Sequence, residues 1–223
     1  MPVPVSIKPY FAGMLKPSAL LSFILIPFLL TAQEPAPALI GYWHNWNDGA
    51  APYLDLDQVN PRYNVIEIAF AEPATGTTFD MQFSPSGTSH ADFIAQLAAK
   101  QAEGNKVLIS IGGANATVQI NNDTERDQFI SSMMGILNTY GFDGIDIDLE
   151  GASVAITGGS VAAPVDSSII RLIGALQDIM VQYRTTTGEK RVLTMAPEAA
   201  SAQGGQSAAG GTSGAAGPTT HAL

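Results

Sequence analysis

Five short apolar runs, separated by amphipathic or polar stretches, constrain the fold of this chain more than anything else in it. They occupy residues 38–43, 64–71, 106–113, 144–150 and 191–198, and each has the length and β-branched or aromatic content of a strand. Residues 90–101, 123–140 and 167–184 lie between the later runs and show helical spacing instead. In the second of these stretches Phe129, Met133, Ile136, Leu137 and Tyr140 fall on one stripe, with Asp123 or Thr124 expected as the N-cap. Strand, helix, strand, helix is the pattern of parallel βαβ units. A doubly wound nucleotide-binding sheet would want a glycine-rich phosphate loop after its first strand, and "GYWHNWNDG" is aromatic there. A β/α barrel places functional residues at the C-terminal ends of several strands. Such residues stand at those ends: Trp43, His44 and Asn45; Glu72; Gly112 and Gly113; Asp148 and Glu150; Glu198. The expected class is therefore α/β, of the (β/α)8 TIM-barrel type.

The fourth run carries the chemistry. Asp146, Asp148 and Glu150 alternate with Ile145, Ile147 and Leu149. Alternate residues of a strand point the same way, about 6.6 Å from one to the next. One face is oily and packs on helices; the other brings three carboxylates into the barrel. Desolvation and like charge both raise the pKa of at least one carboxyl in such a group, which suits a general acid near neutral pH. Glu150, longest and nearest the rim, is the natural proton donor. Asp148, one step deeper, can orient a substrate group, and Asp146 can buffer Asp148. A calcium loop is the competing reading of "DIDLEG", but its twelfth position is Thr157, and interleaved Ile and Leu suit a strand.

Composition removes other classes. A net charge of -10 with no basic run argues against a nucleic-acid partner. With no cysteine there is no disulfide framework, thiolate metal site or thiol nucleophile. Lys8 and Lys16 precede an apolar run over 19–30, too short to span a bilayer and of signal-peptide length. A leader over 1–32 is expected, leaving no stable membrane anchor after its removal. The mature protein is then secreted, extracellular or periplasmic, and its oligomeric state is open.

"DGIDIDLE", residues 143–150, resembles the DxxDxDxE signature of glycoside hydrolase family 18, the chitinases and related enzymes. "SIGG" (110–113) resembles the family's SxGG, while "GYWHNW" (41–46) and "MAPE" (195–198) resemble the first and fifth strands of bacterial chitinases. The resemblance runs over about 39–198. It implies retaining, substrate-assisted hydrolysis of β-1,4-linked N-acetylglucosamine polymers, in which the sugar's own acetamido group is the nucleophile. Carried over, Glu150 protonates the leaving oxygen and later activates water. Asp148 holds the acetamido group, with Asp146 behind it; Asp143 and Ser110 belong to the structural part of the motifs. Tyr42, Trp43, Gly112, Gly113 and Met195 are the substrate-binding candidates, and no metal or organic cofactor is called for. A chitin or chitooligosaccharide substrate is the implied partner.

The chain departs from the family in length. A full barrel takes about 250 residues, and only about five βα units are visible, with no match to the family's sixth-strand Tyr or eighth-strand Trp. Residues 33–198 are read as the N-terminal part of a catalytic barrel. Residues 199–223 form a Gly/Ala/Ser-rich tail without a charged side chain. The expectation is a C-terminally truncated barrel. Its alternatives are a non-catalytic, lectin-like chitin binder and an inactive gene fragment; an intact acid at position 150 favours the hydrolase.

Overall fold

The computed structural model describes residues 37–160 and 162–197. The expected leader, the tail and Glu198 lie outside these residues. Strands β1 (Ile40–His44), β2 (Val65–Pro73), β3 (Met81–Gln82), β4 (Lys106–Gly112), β5 (Gly144–Asp148), β6 (Gly159–Ser160), β7 (Ala163–Pro164) and β8 (Val192–Met195) accompany helices α1 (His90–Ala102), α2 (Asp123–Tyr140) and α3 (Ser167–Thr187). Five strands run parallel in the order β1-β2-β4-β5-β8. The short β3 pairs antiparallel with the end of β2, and β6 and β7 form a separate hairpin. Spatial order follows chain order without reversal. Right-handed crossovers that all step the same way put their helices on one face of the sheet. That is the winding of a β/α barrel, whereas a doubly wound sheet reverses direction at a switch point.

Register explains which side chains face the helices. Trp43 pairs with Ile68, Ile68 with Ile109, Ile109 with Ile145 and Ile145 with Leu193. The first four are buried, in one cluster with Phe93 and Leu97 of α1, Phe129, Met133 and Leu137 of α2, and Ile179 and Tyr183 of α3. Helix ends follow local chemistry. Asn122 caps α2, its side chain accepting from the Glu125 amide at 3.0 Å, while Glu125 reaches back to the Asn121 amide at 2.6 Å. The cap is thus one residue earlier than expected from the sequence. Gly141 closes α2 at φ 77°, in the left-handed region that glycine enters without a Cβ penalty.

Asp143 pins the entry to β5. Its carboxylate accepts from the Val107 amide at 3.0 Å, Gln101 Nε2 at 2.9 Å and Lys106 Nζ at 3.1 Å, with Arg191 Nη1 at 3.9 Å. Arg191 in turn covers the Tyr183 ring. These contacts tie α1, β4, β5 and the approach to β8 together at the end of the sheet away from Glu150. Among the described residues no helix is long and apolar enough to cross a membrane.

Candidate active site

The face opposite the helices is polar where the strands meet. Tyr42 pairs in register with Glu67, and Ser110 with Asp146, which pairs with Thr194. Asp146 is fully buried. Its Oδ2 accepts from the Tyr42 hydroxyl at 2.7 Å and from Ser110 Oγ at 2.7 Å, and its Oδ1 lies 2.7 Å from Thr194 Oγ1. Three hydroxyls from three other strands therefore converge on one carboxylate, which lowers the cost of burying it. Burial and the bond to Asp146 push the Tyr42 phenol far above its ordinary range, so it remains a donor.

Glu67 is the carboxyl that the sequence analysis did not single out. It is 4% exposed, and its Oε1 lies 3.1 Å from Thr194 Oγ1. Burial first, and the negative charge of Asp146 second, push it up to about 7. A signal was present: a lone Glu inside the apolar run 64–71 sits at an inward position only if the strand's phase is known.

From Asp146 the series climbs outward. Asp148 closes β5 half-buried, and its carbonyl accepts from the Gly113 amide at 2.7 Å. Glu150 continues the alternation with extended backbone (φ −121°, ψ 159°) and is also half-buried. The turn after it is anchored rather than free: Ser153, buried, accepts from the Val118 amide at 2.9 Å, and Gln119 Nε2 donates to the Ala152 carbonyl at 2.7 Å. Beside this end, Trp46 stacks on His44 with centroids 4.6 Å apart and lies near-parallel to Phe70 at 6.1 Å. Trp46 is 37% exposed, so this aromatic shelf has an open side.

Residues 38–210 match the family model described as glycosyl hydrolases family 18. The chain belongs to glycoside hydrolase family 18. It is 40% identical over 198 residues to a chitinase of Paenibacillus xylanexedens and 38% identical over 199 residues to chitinase D of Niallia circulans. Each alignment takes in 86% of this chain but 37% of the relative, so the chain spans little more than a third of their length. A solved family 18 chitinase from Chromobacterium violaceum superposes with a TM-score of 0.62 at 40% identity, over 75% of this chain and 42% of that one. The fold is accordingly of the TIM-barrel type.

Within this family 18 frame four of the expected sugar contacts are revised. Trp43 is 4% exposed, donates its Nε1 hydrogen to the Leu54 carbonyl at 2.8 Å and packs edge-on against Tyr53. It belongs to the helix-side core and offers no face to a sugar. Gly112 and Gly113 are buried too. A Cβ on Gly112 would stand 2.3 Å from the Asp148 carbonyl, and one on Gly113 would stand 2.8 Å from the Phe70 ring. The pair admits neighbouring protein, not substrate. Met195 is in register with Ile147 and one residue past Thr194. It therefore shares the helix-side face and is no floor for the acidic series. Tyr42 does face that series, but its hydroxyl is committed to Asp146. Residues 144–148 form a strand, not a calcium loop, and the Thr157 hydroxyl and amide bond to Asp166 instead.

Proposed function

We propose that this chain carries the acid/base machinery of a retaining glycoside hydrolase acting on β-1,4-linked N-acetylglucosamine polymers such as chitin. The carrying observation is the graded series Asp146, Asp148, Glu150, running from fully buried to half-open along one strand face. The relatives named above are chitinases, which supports chitin or its oligomers as the substrate class. In this reading Glu150, at the open end, donates a proton to the glycosidic oxygen and then draws one from water. The acetamido carbonyl attacks the anomeric carbon of its own sugar, and Asp148 holds the acetamido nitrogen and balances the positive charge that develops. Asp146, held by three hydroxyls, keeps Asp148 in place. The charged and apolar pattern of residues 1–32 supports export, which would bring such an enzyme to an insoluble extracellular polymer.

The test is chromatography of a soluble chitooligosaccharide incubated with the purified chain. Shorter N-acetylglucosamine oligomers are expected; an unchanged substrate at high enzyme concentration counts against the proposal. In the same assay Trp46→Ala is expected to raise KM roughly tenfold, the scale of one aromatic contact, with kcat little changed. An unaltered KM would remove the Trp46 shelf from the binding surface.

A further inference from the structure

We propose that Glu67 is a positioning residue of this site, holding a buried proton that the Thr194 hydroxyl relays to and from Asp146. The relay's catalytic meaning rests on the hydrolase reading above; the proton itself does not. Thr194 Oγ1 stands between two carboxyls, 2.7 Å from Asp146 Oδ1 and 3.1 Å from Glu67 Oε1. A hydroxyl has one hydrogen to give and two lone pairs to accept with. It cannot donate to both. One of the two carboxyls must carry its own proton and donate it to Thr194, or the second contact is a repulsion between oxygens.

The surroundings decide which. Asp146 also receives Tyr42 and Ser110 on its other oxygen, and converging donors favour the ionised form. Glu67 also has Tyr42 and Thr194 within hydrogen-bonding reach, but burial and the Asp146 charge outweigh them and favour its neutral form. The groups facing it are Tyr42 from β1, Asp146 and farther out Asp148 from β5, and from β4 and β8 the non-titrating Leu108 and Thr194. The cations Lys106 and Arg191 pair with Asp143 instead. Every titratable neighbour of Glu67 is thus acidic, which holds it neutral up to about pH 7. Glu67 is the acid, Thr194 the bridge and Asp146 the anion.

The transfer balances without a co-reactant. As the Glu67 proton passes to Thr194 Oγ1, the Thr194 hydrogen passes to Asp146 Oδ1; Asp146 becomes the acid and Glu67 the anion, with net charge unchanged. The site thereby holds a proton that Glu67 and Asp146 share at the base of the acidic series.

The sign of the pH effect follows from the shift. Glu67 titrates near 4.5 when unfolded and near 7 when folded. Between those values the folded chain binds more protons, so this group's contribution to stability falls as pH rises through that window. Glu67→Gln places an amide hydrogen where the acid proton was and cannot titrate. Thermal melts followed by circular dichroism should show the variant and the native chain alike near pH 5, with the variant gaining progressively to about pH 8. A constant offset at every pH would mean a merely structural role and would overturn the proposal. Infrared difference spectra of the native chain between those pH values provide a readout that needs no variant to fold. Loss of a buried protonated-carboxyl band is expected, and no such band overturns the assignment. Thr194→Val, which removes the acceptor of the Glu67 proton, should move that band's loss to lower pH. Neither measurement uses a substrate, so failure of hydrolysis and failure of the relay are read separately.

Discussion

Glu150→Gln is expected to lower the rate of oligosaccharide hydrolysis by about 10²–10⁴-fold, the range contributed by a positioned general acid. Little else should change. Glu150 is half-buried, and its side chain makes no capping bond to the turn it precedes. That turn is held by Ser153 and by the backbone of Ala152 instead. Gln is nearly isosteric and keeps a hydrogen-bonding head, so thermal stability should stay within about 0.5 kcal/mol of the native chain, as for substitutions that break no named contact. A variant that hydrolyses at the native rate would remove Glu150 from the chemistry. A variant that loses activity together with its fold would point to a structural role, and Glu150→Ala melts would then separate the two effects.

Gly112→Ala should be the most damaging small change near the site. Gly112 has φ +105°, and an added Cβ would stand 2.3 Å from the Asp148 carbonyl oxygen and 2.9 Å from Leu149 Cδ2. Left-handed strain and a clash with backbone act together, for an expected loss of about 3 kcal/mol or more in urea unfolding. The backbone that must yield is that of Asp148, which also accepts the Gly113 amide. Activity should therefore fall further than stability alone explains. Gly49→Ala is the matched control, since nothing lies within 4 Å of its added Cβ. Equal stability of the two variants would show that the β4–β5 approach is looser than this geometry requires.

Much of the architecture was legible because periodicity reports burial. The stripe Phe129, Met133, Ile136, Leu137, Tyr140 marks α2 over the expected span, with only the N-cap one residue earlier, since all five side chains are buried against the sheet and its neighbours. The Asp146–Ile147 alternation marks β5 for the same reason: its two faces meet media of opposite polarity. The first strand is harder. Tyr42 and Trp43 are adjacent, both aromatic and both able to stack on sugars, so nothing local says which points inward. The phase is set across the sheet, by Tyr42 meeting Glu67 and Asp146 while Trp43 meets Leu54 and Phe93. The same missing phase placed Met195 on the wrong face, although its neighbour Thr194 is the inward residue.

Gly112 and Gly113 were ambiguous for a different reason. Glycine states that something comes close, not what it is, and here it is the Asp148 carbonyl and the Phe70 ring. Glu67 was overlooked because its partners come from β1, β5 and β8, more than a hundred residues away in the last case, as Thr194 is 127 positions on. A buried acid in an apolar strand is a strong hint that such partners exist.

The stereochemistry of the first product tests the central account most directly. Fresh hydrolysis of a soluble chitooligosaccharide followed by proton NMR, before the new reducing end equilibrates, reports which anomer is released. Retention through the acetamido group, with Glu150 acting first as acid and then as base, predicts the β anomer. Initial release of the α anomer would require direct attack by water on the opposite face and would contradict the mechanism assigned to Asp148 and Glu150.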